Sequence, residues 1–434
     1  MSLLEKAGIL HNILNKLKKS ILSINRLDLF IVIAIIILVI TPLFAYVSFR
    51  MEAASKQVKL YVSPHYEKLF GKVLMETLIQ QYAEINPELK IQIGYIGDTQ
   101  MAELDILVFD DGDFNALVSS GALLELNSYT NYDSGTRQLA IPVVSFMNML
   151  FYNKEILEAA GFVRPPKTRD EFIAYARTVS RGESGASGAA LSLSPNDHLA
   201  MYRDIFSWIW ASGGNFWTGE EKPSLSSRTI MNDITFLGQL NRDGILAPEI
   251  FETTGDQRIE QFAQGKIALM IASTQAIPYL RKKMGDDVFG ITTIPDAVNG
   301  TQYNINLSSI YIGINSNSAH PDEAWGFLEF LVQKSYLFSA ELNAVPGTSL
   351  NIIPGDYVSE DPFYSLAWYI FENSFIVEDF SGKPGAEQYE AIFMEELQAF
   401  FDGSRSAQQM INTIQSRWDE VEFETTDSNV NEES

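Results

Sequence analysis

The stretch from Leu139 to Val179 constrains the fold more than any other part of this chain. It opens Leu139-Ala140-Ile141-Pro142 and reaches the apolar run Met149-Leu150-Phe151-Tyr152, which is too short for a helix and reads as a buried strand. Asn153-Lys154 follows, and Glu155 to Ala160 has the character of a short helix. Gly161 stops it, because glycine takes the left-handed conformation of a helix C-cap without steric penalty. Pro165-Pro166 breaks the chain again. Thr168, with Glu171 three residues later, has the spacing of a capping box that opens a second, amphipathic helix. Strand, short helix, proline break and capped helix must therefore follow in that order.

The same alternation runs through the rest of the chain. Val58 to Val62 reads as a first strand, Tyr66 to Ile85 as a helix and Ile91 to Tyr95 as a second strand. Leu104 to Phe109 forms a third strand and ends in Asp110-Asp111-Gly112-Asp113. After a Gly/Ser-rich break at 182–188, Gly188 to Leu193 restarts the strand pattern. Helices are expected at Leu199–Ala211, Arg228–Asn241, Asp256–Ala263, Gln275–Lys283 and Asp322–Val332, the last opened by Pro321. Ile267–Ile271, Val288–Thr293 and Ile305–Ile314 read as extended. The closing helices are Ala386–Phe401 and Ser406–Trp418, separated by Asp402-Gly403. Strands alternating with helices imply an α/β fold with a parallel sheet covered on both faces. No repeat with a period of 20–50 residues is present.

The first fifty residues address the chain to a membrane. No charge occurs from Leu29 to Phe49, and a helix rising about 1.5 Å per residue would cross a hydrocarbon core roughly 30 Å thick. The rival is a cleaved signal peptide. Against it stand the long preceding segment, the length of the apolar run and the want of a small-x-small site, Ala53-Ala54 being spoiled by Glu52. Lys6, Lys16, Lys18, Lys19 and Arg26 precede the span and place the N-terminus in the cytoplasm, a bias that Arg50, Lys56 and Lys59 weaken without reversing. The expectation is a cytoplasmic segment 1–26, an uncleaved transmembrane helix 27–49, a linker 50–56 and an extracytoplasmic body. That linker spans at most about 25 Å.

Charge and composition narrow the function. Net charge is −24; the first fifty residues carry six basic and two acidic side chains, leaving 25 basic against 53 acidic, or −28, in the remainder. Such a body is repelled by nucleic acid and by anionic lipid, and the charge keeps it soluble. Residues 421–434 are acidic and polar and read as a disordered tail. With no cysteine, stability rests on a core, which a chain that is 46% hydrophobic can build. Enzyme signatures are missing. The histidines at 11, 65, 198 and 320 have no metal-ligand spacing. Gly-Glu-Ser-Gly and Gly-Ala-Ser-Gly around Ser184 and Ser187 are not the nucleophile elbow, and no phosphate-binding or dinucleotide glycine pattern occurs. No catalytic residue, metal or cofactor is expected.

Several short segments resemble one family in order. Asp105-Ile106-Leu107-Val108, Asp113-Phe114 and Gly121-Ala122-Leu123-Leu124-Glu125-Leu126 match its strand, loop and turn. Trp208 to Gly213-Gly214 matches a W-x-x-x-x-G-G segment, and Phe262-Ala263-Gln264-Gly265-Lys266-Ile267-Ala268-Leu269-Met270 a helix-to-strand step. Ile312-Gly313-Ile314, His320-Pro321-Asp322-Glu323-Ala324-Trp325 and Ala344-Val345-Pro346-Gly347-Thr348 continue the series. Together with the 139–179 unit, they make the chain from Val58 to about Trp418 resemble the extracellular solute-binding proteins of ABC importers, in particular the sugar-binding family. The resemblance implies a two-lobed, periplasmic-binding-protein-like clamp (type II-like) that closes on a small solute, most often a carbohydrate, and hands it to permease subunits backed by a cytoplasmic ATPase. Lobe 1 would hold 57–146 and 306–350, lobe 2 147–305 and 351–420. The chain lacks the lipid-modified cysteine common in such proteins, so the N-terminal helix would hold it at the membrane. An anchored sensor or scaffold using the same clamp is the alternative.

Candidate ligand contacts follow from strand ends and from the resemblance. Phe109, Asp110, Asp111 and Asp113 lie at the carboxyl end of the third strand, where ligands of open α/β sheets gather and carboxylates can accept from hydroxyls; helix capping is the rival role for Asp113. Ser63, His65 and Tyr66 occupy the rim after the first strand, and Ser145 and Asn148 flank the expected crossing near Phe146. Tyr202, Arg203 and Asp204 precede the Gly-Gly segment, and Thr274 and Gln275 follow the Met270 strand. Family members often carry an aromatic platform at the Gln275 position, so the glutamine there is a departure. The resemblance also implies an aromatic contact at Tyr389, with Glu390 beside it. Trp208, Trp210, Trp217, Trp368 and Trp325 are assigned to packing.

Overall fold

The computed structural model describes residues 57–62, 72–95, 104–129, 138–197, 199–217, 222–295, 303–342, 344–347, 361–381 and 383–422. The expected cytoplasmic segment 1–26, the span 27–49, the linker 50–56 and residues 423–434 of the expected tail 421–434 lie outside them; Val421, the first residue of that tail, is instead buried in the core. Among the described residues no helix is long and apolar enough to cross a membrane.

By contact the chain divides into two compact units, residues 1–58 with 79–92, and residues 59–78 with 93–434. In the first, residues 79–92 finish helix α1 (Lys72–Ile85) and begin strand β2 (Lys90–Tyr95), with Tyr82 and Leu89 buried. The second unit carries the sheet that organises everything else. Its strands are β1 (Gln57–Val62, from Lys59), β3 (Ile106–Asp110), β4 (Ile141–Asn153), β5 (Ser187–Ala190), β6 (Ile267–Ser273), β7 (Phe289–Thr292), β9 (Leu307–Ile314) and β10 (Val345–Pro346). A separate parallel pair joins β8 (Tyr303–Ile305) to β11 (Ser374–Ile376).

Strand order is β1-β3-β9-β4-β6-β5, with β7 and β10 also on β4. β1 runs parallel to β3, and β5 parallel to β6; β9 lies antiparallel between β3 and β4. The sheet is therefore mixed rather than wholly parallel. β4 is its spine. Residues 141–147 pair with β9 and Val144–Ser145 with β10, whereas Asn148–Tyr152 pair with β6 and Leu150–Asn153 with β7. The strand changes partners between Met147 and Asn148.

From sequence only the apolar run Met149–Tyr152 reads as strand. The observed strand keeps Pro142 near its beginning, at a register shift between Pro142 and Val144, where a missing N–H donor is tolerated. Gly347 follows β10 because a Cβ there would lie 2.2 Å from Pro142 O.

Helices cover the sheet: α2 (Asp111–Ser119), α3 (Lys154–Ala159), α4 (Arg169–Arg181), α5 (Ser207–Ala211), α6 (Arg228–Arg242), α7 (Gly255–Ala263), α8 (Ile277–Met284), α9 (Pro321–Gln333), α10 (Ser335–Leu342), α11 (Pro362–Glu372), α12 (Ala386–Phe401) and α13 (Ala407–Asp419). Gly161, at φ +89°, ends the turn after α3 as its sequence requires. The expected capping box at α4 forms only by half. Thr168 accepts from Glu171 N, but the Glu171 carboxylate turns to Lys167 N (2.8 Å) and to Arg164 (2.6 Å). Complete boxes occur instead at Thr254/Gln257 and Ser406/Gln409.

The largest core gathers α4, α5, α6, α12 and α13 around Phe206, Trp208, Trp210, Phe393 and Trp418. A second core lies under β6, α8 and α11, and a third under β3, α2 and β9. Trp208, Trp210 and Trp217 are buried in the first, and Trp368 packs between Tyr364 and Phe371. Trp325 departs from its core assignment: it is half-buried and stacks on Tyr129, whose hydroxyl donates to Asp322.

Candidate functional site

Where β4 changes partners, a narrow cleft lined mostly by polar side chains is formed by Asp111, Asn148, Leu199, Tyr202, Arg203, Ser273, Gln275, Asn306, Ser308 and Asp379. Strand ends and turns supply these residues. Asp111 opens α2 directly after β3, Asn148 stands at the partner exchange of β4, and Ser273 and Gln275 end β6 and enter the 3₁₀ turn that follows. Asn306 is the single residue between β8 and β9. Tyr202 and Arg203 lie on a π-helical turn, Tyr202–Phe206, that widens the helix before α5. Such single wide turns occur frequently at functional sites.

Hydrogen bonds fix the walls. Asn148 Nδ2 donates to Ser207 Oγ (3.2 Å), whose hydroxyl donates to the Tyr202 carbonyl (2.7 Å). Arg203 is held through Nε and Nη2: it pairs with Asp204 (2.8 Å) and Asp197 (3.1 Å) and donates to the Ser192 carbonyl and hydroxyl, both at 2.9 Å. Burial opposes its charge, but the two carboxylates more than restore it. Asp379 accepts from Asn306 Nδ2 (2.7 Å) and from Ser381 N (2.9 Å). Asp111 Oδ2 accepts from Ser309 N (2.7 Å), while Oδ1, sealed from solvent, has no hydrogen-bond partner.

Of the residues singled out from sequence, Asp111, Asn148, Tyr202, Arg203 and Gln275 come together in this cleft. Others stand behind it or elsewhere. Glu390 accepts a short hydrogen bond from the Tyr202 hydroxyl, and Asp204 is buried under Arg203. Ser145 shares a hydrogen bond with Ser309 (2.7 Å), and Thr274 Oγ1 accepts from Met147 N (3.4 Å), both out of solvent. Asp110 caps α2 by accepting from Gly112 N (2.8 Å), and Asp113 lies in the first turn of that helix. Phe109 packs on Phe114 and Tyr311, its ring centroid 5.8 Å from each. Tyr389 is packed edge-on to Trp418 at 5.7 Å and lies within the core, away from the cleft. Ser63, His65 and Tyr66 lie outside the described residues.

Sequence reading missed Asn306, Ser308, Ser273 and Asp379. Asn306 and Ser308 did carry a signal, as polar residues in an otherwise apolar extended run. Asp379 carries none, since it sits in an aperiodic connection between β11 and α12.

Residues 71–336 match the family model of the bacterial extracellular solute-binding proteins. The chain belongs to this family. A Brucella abortus protein whose name assigns it only a binding role is 23% identical over 201 residues, 45% of this chain and 47% of that one. The chain thus spans about half the length of the curated relatives it matches. In fold, this solute-binding protein is similar to a Synechococcus chain named an oligosaccharide periplasmic-binding protein (TM-score 0.69, 17% identity, 84% of this chain and 98% of that one). It is likewise similar to an ABC transporter solute-binding protein from Thermotoga lettingae bound with α-D-tagatose (TM-score 0.67, 16% identity, 84% and 99% covered). At these identities the likeness establishes the α/β binding-protein fold.

The buried carboxyls at the solute-binding protein's cleft are all shifted in the same direction. Burial, reinforced by the nearby Asp379 carboxylate, pushes Asp111 up to about 7; the Ser309 N–H and the neighbouring Ser308 and Tyr311 hydroxyls only temper this. Burial also raises Asp379, and raises Glu390 to about 7 with further help from Asp379 and Glu387. Among the described residues no cluster of side chains is arranged to hold a metal ion.

Proposed function

We propose that this chain is the solute-capturing component of an ABC importer, held at the outer face of the cytoplasmic membrane by the apolar segment 27–49. The observation that carries the reading is the polar cleft at the partner exchange of β4, in a chain of the solute-binding family. Two lobes, 57–146 with 306–350 and 147–305 with 351–420, would form its walls and hinge at the Met147/Asn148 and Asn306 crossings. Opening exposes the cleft; a solute that touches both walls has more contact with the closed form and shifts the population toward it. The charge-free stretch 29–49 supports the anchor, and a tether raises the local concentration of the clamp at its permease.

The lining of Asn148, Asn306, Gln275, Ser273 and Ser308 offers donors and acceptors suited to the hydroxyls of a carbohydrate. That the two solved chains named above are called an oligosaccharide-binding protein and a tagatose complex supports the same class. No chemistry is assigned to the cleft; its role is capture and release. Tryptophan emission provides the test, because Trp210 lies 5.9 Å from Tyr202 at the cleft wall. Titrating the full chain with a panel of sugars, amino sugars and polyamines should change that emission saturably for at least one compound. A panel that leaves both emission and calorimetric heat unchanged would sink the transport reading.

A further inference from the structure

We propose that the solute captured here carries a protonated amine, seated between Asp111 on one wall and Asp379 on the other, with its hydroxyls met by Asn148, Gln275 and Ser308. The inference rests on the solute-capture reading and narrows it from carbohydrates at large to amine-bearing ones.

Three features of the cleft lead there. Asp111 lines the cleft with its Oδ1 sealed from solvent and met by no donor in good geometry, the Ser308 and Tyr311 hydroxyls beside the carboxyl only tempering a burial that is costly for a group that must ionise. Asp379 lines the same cleft, and its charge repels that of Asp111. The neighbouring cations are already used: Arg203 is held by Asp204 and Asp197, and Lys383 pairs with Glu378 and lies over the Trp217 ring at 4.9 Å. A positive charge is the missing piece, and the solute is the one component able to bring it. Neutral hydroxyls would satisfy the free oxygen but leave the repulsion between the two carboxylates in place. An ammonium relieves both at once, and it does so only while the walls are together, so the cation itself favours closure. The metal alternative lacks the ligand geometry among the described residues.

The titratable groups facing Asp111 are Asp379, Tyr311 and Tyr202; Glu390 bonds Tyr202, and Lys383 moderates Asp379. Both tyrosines are pushed well above the ordinary phenol value and stay neutral. The carboxyls of Asp111 and Glu390 are held near 7, so amine binding must drive protons off them. Affinity for an amine that stays protonated throughout, such as putrescine or glucamine, should therefore rise about tenfold between pH 6 and pH 8.

Calorimetry on the full chain with matched pairs decides the matter: glucosamine against glucose, galactosamine against galactose, glucamine against sorbitol, and putrescine against butane-1,4-diol. At least one amine should bind tenfold or more tightly than its hydroxyl partner, with proton release read from two buffers of different ionisation enthalpy. Asp111→Asn and Asp379→Asn, each checked by its melting temperature, should lose that preference, so that the amine and its hydroxyl partner bind alike. Hydroxyl partners that bind as tightly as the amines, or variants that keep the preference, would overturn the amine assignment while leaving solute capture intact. If no member of any pair binds, the capture reading fails and this inference fails with it.

Discussion

Asp111 shows how one side chain couples pH to stability here. Burial and Asp379 raise its carboxyl from an ordinary 3.8 to about 7 in the folded protein. The folded form thus holds this proton more firmly than the unfolded chain, and the associated stability is complete below about pH 4 and lost as pH rises through 7. Solute-free protein should show a melting temperature that falls between pH 5 and pH 8. Asp111→Asn should flatten the slope and stabilise the protein at pH 8 by up to about 4 kcal/mol; a less stable variant at pH 8 would refute this account of the carboxyl. Arg169 presents the opposite case. It pairs with buried Asp233, donates to the Trp208 carbonyl (2.9 Å) and Ser212 Oγ (2.5 Å), and lies over the Phe236 ring at 4.6 Å. Arg169→Met leaves the Asp233 carboxylate buried and uncompensated, and should cost about 3–5 kcal/mol in urea unfolding. Adding Asp233→Asn should restore part of the loss.

Among the elements, the two helices that close the chain were plain in the sequence. Tyr389, Phe393, Leu397 and Phe400 recur at helical spacing and are all buried, so the periodicity that marks α12 is also the face it packs. Ser406 caps α13 reciprocally with Gln409, and Ser406→Ala should cost about 1 kcal/mol, read from the shift in denaturation midpoint. Gly188 in β5 is less forgiving: an added Cβ would stand 1.8 Å from Ala176 O in α4, and Gly188→Ala should cost at least about 2 kcal/mol by forcing helix and strand apart. The site was only partly legible, for physical reasons. Asp110-Asp111-Gly112-Asp113 reads as a loop, yet Asp110 caps a helix that starts at once, because tertiary packing of Leu117 overrides weak local propensity. The π turn at Tyr202–Phe206 leaves no periodic trace, since one wide turn merely shifts the helical phase. Asp379 reaches the cleft from an aperiodic connection that only three-dimensional proximity reveals.

At the scale of the molecule, one long strand serves two sets of partners, and the cleft opens where they meet. Capture there requires residues from both sides to act on one solute: Asp111 and Ser308 from the β3–β9 side, Tyr202, Ser273 and Gln275 from the β6 side, and Asp379 from the connection before α12. Hydrogen–deuterium exchange on the full chain, with and without a saturating compound from the calorimetric pairs, reads both walls in one experiment. The account predicts added protection at 111–119, 199–206, 273–276, 306–309 and 377–381 together, with little change around α13. Protection confined to one of these walls, or unchanged exchange throughout the cleft under saturation, would contradict it.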